Sequence, residues 1–234
     1  MKPRLFLTIF PLVLVLSSAV CFAGEYEDGF AAYMRGDYKA AAAIWTKAAS
    51  KGDSKAQAFL GGMYAAGEGV PQDYNQALSW YRKAAEQGYA MAQYNLGLMY
   101  AAGEGVPQDY NQAASWYRKA ADQGYASAQY NLGVMYDNGQ GVTQDYNQAV
   151  LWYRKAADQG TANAQYNLGV MYAKGEGVTQ DYVEAHKWFN IAAAYASDKD
   201  VRDKATNERD SVAKKMTLAQ IAEAQKQASE WKKK

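Results

Sequence analysis

The chain has 234 residues, 49% of them hydrophobic, and a formal net charge of +1 from 25 basic and 24 acidic side chains. That length supports a sizeable core, and the charge balance excludes the basic stripe that nucleic-acid binding requires. The 20 tyrosines and only 4 prolines point to helices packed through aromatic rings and small residues.

Lys2 and Arg4 precede a mostly apolar run from Leu5 to Val20, and Cys21-Phe22-Ala23 sets small residues three and one before a cut after Ala23. The run is shorter than the about 20 apolar residues of a membrane helix. Residues 1–23 are therefore expected to be a signal peptide, the mature protein to start at Gly24, and its location to be periplasmic or secreted without membrane insertion. A lipid anchor on Cys21 needs a small residue before it, where Val20 stands. Cleavage removes the only cysteine and with it any disulfide framework. It leaves 25 − 2 = 23 basic against 24 acidic residues, so no electrostatic attachment to nucleic acid or anionic lipid is expected.

Residues 24–51 read as a degenerate N-terminal repeat or cap. Phe30, Tyr33, Gly36, Asp37, Tyr38, Ala41, Trp45, Ala48 and Ala49 keep the later pattern with a much shorter interhelix loop. From 52 to 195 the chain repeats itself. Ala92-Gln93-Tyr94-Asn95-Leu96-Gly97 recurs at 128–133 and 164–169, and a degenerate copy runs over 56–61. Gln-Asp-Tyr-Asn-Gln-Ala starts at Gln72, Gln108 and Gln144, with a fourth version from Gln180 to Ala185. Four 36-residue repeats are read at 52–87, 88–123, 124–159 and 160–195.

Each repeat predicts two helices. Ala92, Leu96, Met99 and Tyr100 lie on one helical face. Gly97 on that face, with copies at 61, 133 and 169, predicts a neighbouring helix too close for a side chain. Gly103 and Gly105 stop the first helix. Asp109 with Gln112 starts the second in a capping-box arrangement, repeated at Asp73/Gln76, Asp145/Gln148 and Asp181/Glu184. Ala113, Trp116, Tyr117, Ala120 and Ala121 form its apolar stripe. One such unit buries too few large side chains to offset the ordering of its backbone, so neighbours must stack on it.

Residues 196–234 read as C-terminal capping helices and a basic tail. Over 199–215 a charged helix turns Val201, Ala205 and Val212 inward. Thr217 and Gln220 form another capping box, and Met216 with Ile221 has hydrophobic-staple spacing. Leu218, Ile221, Ala224, Ala228 and Trp231 make a stripe expected to close the core, ahead of a solvated Lys232-Lys233-Lys234.

The pattern Ala…Leu-Gly-x-Met-Tyr-x-x-Gly-x-Gly-Val-x-Gln-Asp-Tyr…Ala…Trp-Tyr-x-Lys-Ala-Ala-x-x-Gly closely resembles the Sel-one-like repeat family, a tetratricopeptide-type branch with a longer interhelix loop. The match covers about 52–195 and, more weakly, 25–51. The last copy departs at His186 and at Phe189-Asn190-Ile191, in the segment that earlier reads Trp-Tyr-Arg-Lys. The resemblance implies an all-α, right-handed α-solenoid of tandem helix–loop–helix repeats acting as an adaptor or scaffold. Exported members are similar to envelope-signalling regulators, polysaccharide-export factors and host-interaction proteins. A cysteine-rich branch is associated with β-lactam binding or hydrolysis, and its cysteine pairs are absent here.

Asn95, Asn131 and Asn167 form one column on successive first helices, each preceded by a tyrosine at Tyr94, Tyr130 or Tyr166. In the related tetratricopeptide repeats the matching asparagine lines the concave groove and can bond a peptide backbone, since an amide offers donors and an acceptor. The alternative is an amide that only bonds neighbouring helices or water. Phe59 holds that column in the first full repeat, which makes the groove more apolar there. Replacing the three asparagines is expected to leave the fold nearly intact. His186, the sole histidine, reads as an ordinary packed or solvated residue, and the Arg-Lys pairs at 82–83, 118–119 and 154–155 as a solvated face. The Gly-Glu-Gly-Val loops at 67–70, 103–106 and 175–178 lack the Lys-Ser/Thr of a phosphate loop and read as turns.

No nucleophile–base pair, metal set or cofactor motif emerges. The expected function is an exported scaffold binding a peptide or protein on its concave face, with neither nucleic acid nor cofactor. The alternatives are a cell-envelope hydrolase or β-lactam-binding protein, and a structural spacer in an envelope complex.

Overall fold

A computed structural model describes residues 24–233, so the expected signal peptide and its cut after Ala23 lie outside the described residues. Among the described residues there are twelve helices and no strand. Helix α1 covers 24–34. It is followed by α2 (Tyr38–Ser50), α3 (Ser54–Ala66), α4 (Tyr74–Glu86), α5 (Ala90–Ala102), α6 (Tyr110–Asp122), α7 (Ala126–Asn138), α8 (Tyr146–Asp158), α9 (Ala162–Lys174), α10 (Tyr182–Tyr195), α11 (Lys199–Ala213) and α12 (Leu218–Glu230). The architecture is the all-α solenoid of consecutive helix pairs expected from the repeat. Two compact units divide the chain, one up to Ala92 and the other from Gln93 onward.

The aspartates cap the second helices as expected, but the returning half of each capping box is replaced: the N–H groups of Asp73, Asp109, Asp145 and Asp181 donate to the carbonyls of Tyr64, Tyr100, Tyr136 and Tyr172. Asp109 Oδ1 accepts from the backbone N–H groups of Asn111 at 2.9 Å and Gln112 at 3.1 Å. Asp73, Asp145 and Asp181 cap α4, α8 and α10 in the same way. Each carboxylate satisfies donors that the first turn leaves without an intrahelical acceptor.

The two helices of a repeat meet where glycine meets an aromatic ring. A Cβ built on Gly97 would lie 2.5 Å from the Tyr117 ring. The same approach is 2.9 Å for Gly61 on Tyr81, 2.7 Å for Gly133 on Tyr153 and 2.7 Å for Gly169 on Phe189. The close neighbour expected from the glycine column is therefore the second helix of the same repeat. In α1, Gly29 packs on Trp45 with its Cβ position 2.3 Å from the indole nitrogen, so the shortened first repeat keeps the device. Around these contacts Leu60, Leu96, Leu132 and Leu168 are all 0% exposed. The second loop glycine joins one repeat to the next. Gly141 has φ +66°, and its Cβ would sit 2.1 Å from the Tyr110 carbonyl oxygen.

A polar device runs through both units that the sequence reading did not single out. Gln57, Gln93, Gln129 and Gln165 are buried on the first helices. Gln57 Nε2 donates to the Ala49 carbonyl, Gln129 to Ala121 and Gln165 to Ala157, each at 3.1 Å, reaching back to the last turn of the preceding helix. Three of the Oε1 atoms accept from a glutamine at the end of the same repeat: Gln57 from Gln87 and Gln93 from Gln123, both at 2.7 Å, and Gln129 from Gln159 at 2.8 Å. Burying the amides of Gln57 and Gln129 is tolerated because both ends of each are bonded, whereas Gln165 Oε1 is buried without a partner.

The Arg-Lys pairs are not merely a solvated face. Lys83, Lys119 and Lys155 lie over Trp80, Trp116 and Trp152 at 4.1, 3.9 and 4.0 Å from the ring centroids. Arg118 and Arg154 donate to the hydroxyls of Tyr136 and Tyr172 on the next first helix. The guanidinium reaches across because its stem is long and its head planar.

At the C-terminus α11 and α12 both pack on α10. Ala205, Val212, Ala224 and Ala228 are buried, and Met216 packs with Phe189 and Val212. The Thr217–Gln220 capping box forms in both directions. Leu218 departs from the expected stripe, being 86% exposed. It is the first residue of α12, in a first turn whose residues 218–220 are all exposed. Trp231 is half-buried against Tyr195, the ring centroids 5.4 Å apart.

Candidate interaction surface

Helices α5, α7 and α9 carry the expected polar column. Asn95, Asn131 and Asn167 are half-buried, as are Tyr94, Tyr130 and Tyr166. Asn131 hydrogen-bonds the hydroxyls of Tyr94 and Tyr117, both from the preceding repeat. Asn167 does the same with Tyr130 and Tyr153. The ring centroids of each tyrosine pair are 5.7 and 6.1 Å apart. The amides of Asn131 and Asn167 therefore sit between consecutive repeats, the alternative that the sequence left open. Losing each such bond costs about 1 kcal/mol.

Burial pushes the phenols up. Tyr117 rises to about 12 through burial, against the opposing bond from Asn131. Tyr94 rises through burial and the neighbouring Tyr125. Tyr166 packs on Phe189 at 5.7 Å and rises through burial, then through Glu208 of α11. All these hydroxyls are neutral near pH 7 and offer a donor as well as an acceptor.

A cavity of about 100 Å³ opens beside Asn131, lined by Ala101, Tyr110, Tyr117, Val134 and Met135. One repeat later the position of Ala101 is Asp137, and the Tyr153 hydroxyl donates to Asp137 Oδ2 at 3.1 Å. At Tyr117 the corresponding space is left to the cavity, because the alanine methyl is too short to fill it. A column-by-column comparison at the repeat period would have found this substitution in the sequence.

The remaining candidates are structural. His186 is 3% exposed, and burial, then Arg209, holds its imidazole below the usual range, while Asp210 opposes. The loop glycines form turns. Among the described residues no group of His, Cys, Asp and Glu could hold a metal ion, and no helix is long and apolar enough to cross a membrane.

The Sel1 repeat pattern matches 17–53, 54–89, 90–125, 126–161 and 162–194, counting five repeats with the shortened N-terminal one included. No curated protein matches the chain. Among solved structures it is similar to a Sel1 repeat protein from Oxalobacter formigenes, at 31% identity and TM-score 0.71 over 83% of this chain and 86% of that one. A Sel1 repeat structure from Klebsiella pneumoniae is 24% identical with TM-score 0.53, covering 85% of this chain and 96% of the other. An immunity protein from Pseudomonas aeruginosa shares the fold at 22% identity and TM-score 0.50 over 82% and 81%. With five matched copies, the glycine-on-aromatic packing inside each and a like-built relative over most of its length, the chain belongs to the Sel1 repeat family.

Proposed function

We propose that this protein is an exported scaffold that binds a peptide or protein partner on the face formed by its first helices, the concave face of the sequence reading. Sel1 repeats generally mediate protein–protein interaction, and Sel1 solenoids are generally non-enzymatic scaffolds. The observation that carries the choice of face is the cavity beside Asn131, where an amide, a phenol and the apolar Val134 and Met135 converge. Such a mixture suits a short peptide segment, with one side chain seated and its backbone bonded by the amide.

The test uses Ala101→Asp, which copies what the next repeat carries at that position. Circular dichroism is expected to show an unchanged helix content, while proteins captured from envelope extracts by the wild type are expected to be lost or weakened about tenfold. Retention of the same partners at equal affinity places the binding surface elsewhere. Asn131→Ala is expected to weaken binding and also to lower stability by about 1 kcal/mol, so both are measured on the same sample.

Export rests on the charged start, apolar run and Cys-Phe-Ala sequence of residues 1–23. Intact-mass measurement of the protein recovered from the cell envelope is expected to give a chain beginning at Gly24. A retained, lipid-bearing Cys21 or an uncut N-terminus overturns the assignment.

A further inference from the structure

In its first repeat the chain fills the counterpart of the Asn131 cavity with a side chain of its own. Tyr33 and Ala101 each stand four residues after the glycine that packs on the facing ring, Gly29 on Trp45 and Gly97 on Tyr117. They hold the same position in two repeats. The Tyr33 ring centroid lies 5.0 Å from that of Tyr38 and 5.7 Å from that of Trp45, and its hydroxyl donates to Glu68 Oε2 at 2.7 Å. Two periods later Tyr38, Trp45 and Glu68 become Tyr110, Tyr117 and Gln140, and all three line the cavity. The occupant is what differs: Ala101 brings a methyl where Tyr33 brings a phenol. Gln140 is exposed at the loop, so its amide is open to a group entering from solvent. An enclosed cavity of about 150 Å³ holds a benzene ring, and this one, open and of about 100 Å³, takes most of one.

Resting on the reading of this cavity as the seat of a partner side chain, we propose that the side chain it takes is a tyrosine. The partner's ring packs against Tyr110 and Tyr117 as Tyr33 packs against Tyr38 and Trp45. Its hydroxyl donates to Gln140 Oε1 as the Tyr33 hydroxyl donates to Glu68. Val134 and Met135 supply the apolar wall that the ring covers. A carboxylate is the rival occupant, since Asp137 fills the matching position one repeat later and accepts from Tyr153. It is much smaller than a phenol and leaves part of that wall without contacts.

The test titrates the full-length protein, its methionine methyls isotope-labelled, with N-acetyl-L-tyrosinamide and follows the Met135 methyl resonance, identified by its loss in Met135→Leu. A saturable shift is expected with a dissociation constant on the order of 1 mM, the range for a ligand of this size. N-acetyl-L-phenylalaninamide, which lacks the hydroxyl, is expected to bind about fivefold more weakly. Ala101→Tyr supplies the phenol from the chain itself and is expected to abolish the shift. Gln140→Ala alters an exposed side chain and is expected to bring the tyrosine compound down to the affinity of the phenylalanine one, while Gln140→Glu keeps the preference, as Glu68 serves Tyr33. Equal binding of the two compounds by the wild type, equal binding of N-acetyl-L-aspartic acid α-amide, or undiminished binding by Ala101→Tyr overturns the proposal. If Ala101→Asp loses its envelope partners while the tyrosine compound gives no saturable shift, the seat stands and the tyrosine falls. If Ala101→Asp keeps those partners at equal affinity, the seat falls and the tyrosine with it.

Discussion

Gly141→Ala is expected to destabilise the second unit by about 3–5 kcal/mol, while Gly124→Ala costs only about 1–2 kcal/mol. Both glycines have positive φ, +66° and +88°, so both alanines incur the left-handed backbone penalty. They differ in what a Cβ meets. At Gly124 nothing lies within 4 Å, whereas at Gly141 the Tyr110 carbonyl oxygen is 2.1 Å away. Backbone cannot step aside as a side-chain tip can, so α6 and the loop before α8 must separate. In a chain of this length the larger loss corresponds to a fall in melting temperature of about 10 °C. Thermal unfolding of the two variants measures the difference directly. Equal melting temperatures would show that the close approach between repeats is not holding the array together.

Alkali is expected to unfold the protein between about pH 10 and pH 12, through its tyrosines. Tyr81 and Tyr117 are 6% and 3% exposed, and burial pushes each phenol up to about 12. Tyr153 is pushed up as well, first by burial and then by the Asp137 carboxylate, with Asn167 opposing. A folded-state value above the unfolded one means that the neutral form stabilises the fold fully below about pH 10. That contribution is lost as pH rises towards 12. Raising a phenol from 10 to about 12 corresponds to roughly 3 kcal/mol, so Tyr81 and Tyr117 together reach the scale of a typical domain stability of about 5–15 kcal/mol. Tyrosinate absorbance should therefore appear together with the loss of helical circular dichroism. Smooth titration near pH 10 with the helix signal intact would sink this account. Tyr81→Phe is expected to move the transition to higher pH, since it removes a titrating group while keeping the ring on Gly61.

Much of this architecture could be read from spacing alone. Gly97 and Tyr117 recur at one period because each glycine has its own ring to receive, and Asp109 precedes its helix because free N–H groups need an acceptor there. Both causes are local, or lie within one repeat. What escaped the reading depends on angles between helices. Gln93 and Gln123 look like surface residues until the helices are placed, when their amides turn out to meet. Arg118 reaches Tyr136 for the same reason. Leu218 fits the helical stripe of α12 by number, and only the placed helices show that its turn is exposed. The candidate surface was half legible. The asparagine column stood out, but its bonds to Tyr94 and Tyr117 arise from the next-repeat geometry, and the cavity depends on the single contrast between Ala101 and Asp137.

Gln129 bonds its own repeat and the one before it, and Gln165 bonds the one before it. If residues 126–161 were excised, Gln165 would meet the Ala121 carbonyl as Gln129 does now at 3.1 Å, and the aspartate caps and glycine–ring pairs would stay within their repeats. Near-identical stretches such as 92–97, 128–133 and 164–169 are also the kind of sequence at which genes recombine out of register. Such an exchange adds or removes one whole unit and leaves no buried amide stranded inside the array. The gene for this protein can thus change the length of its product in 36-residue steps without passing through an unfoldable intermediate, and only the terminal units must be kept as they are.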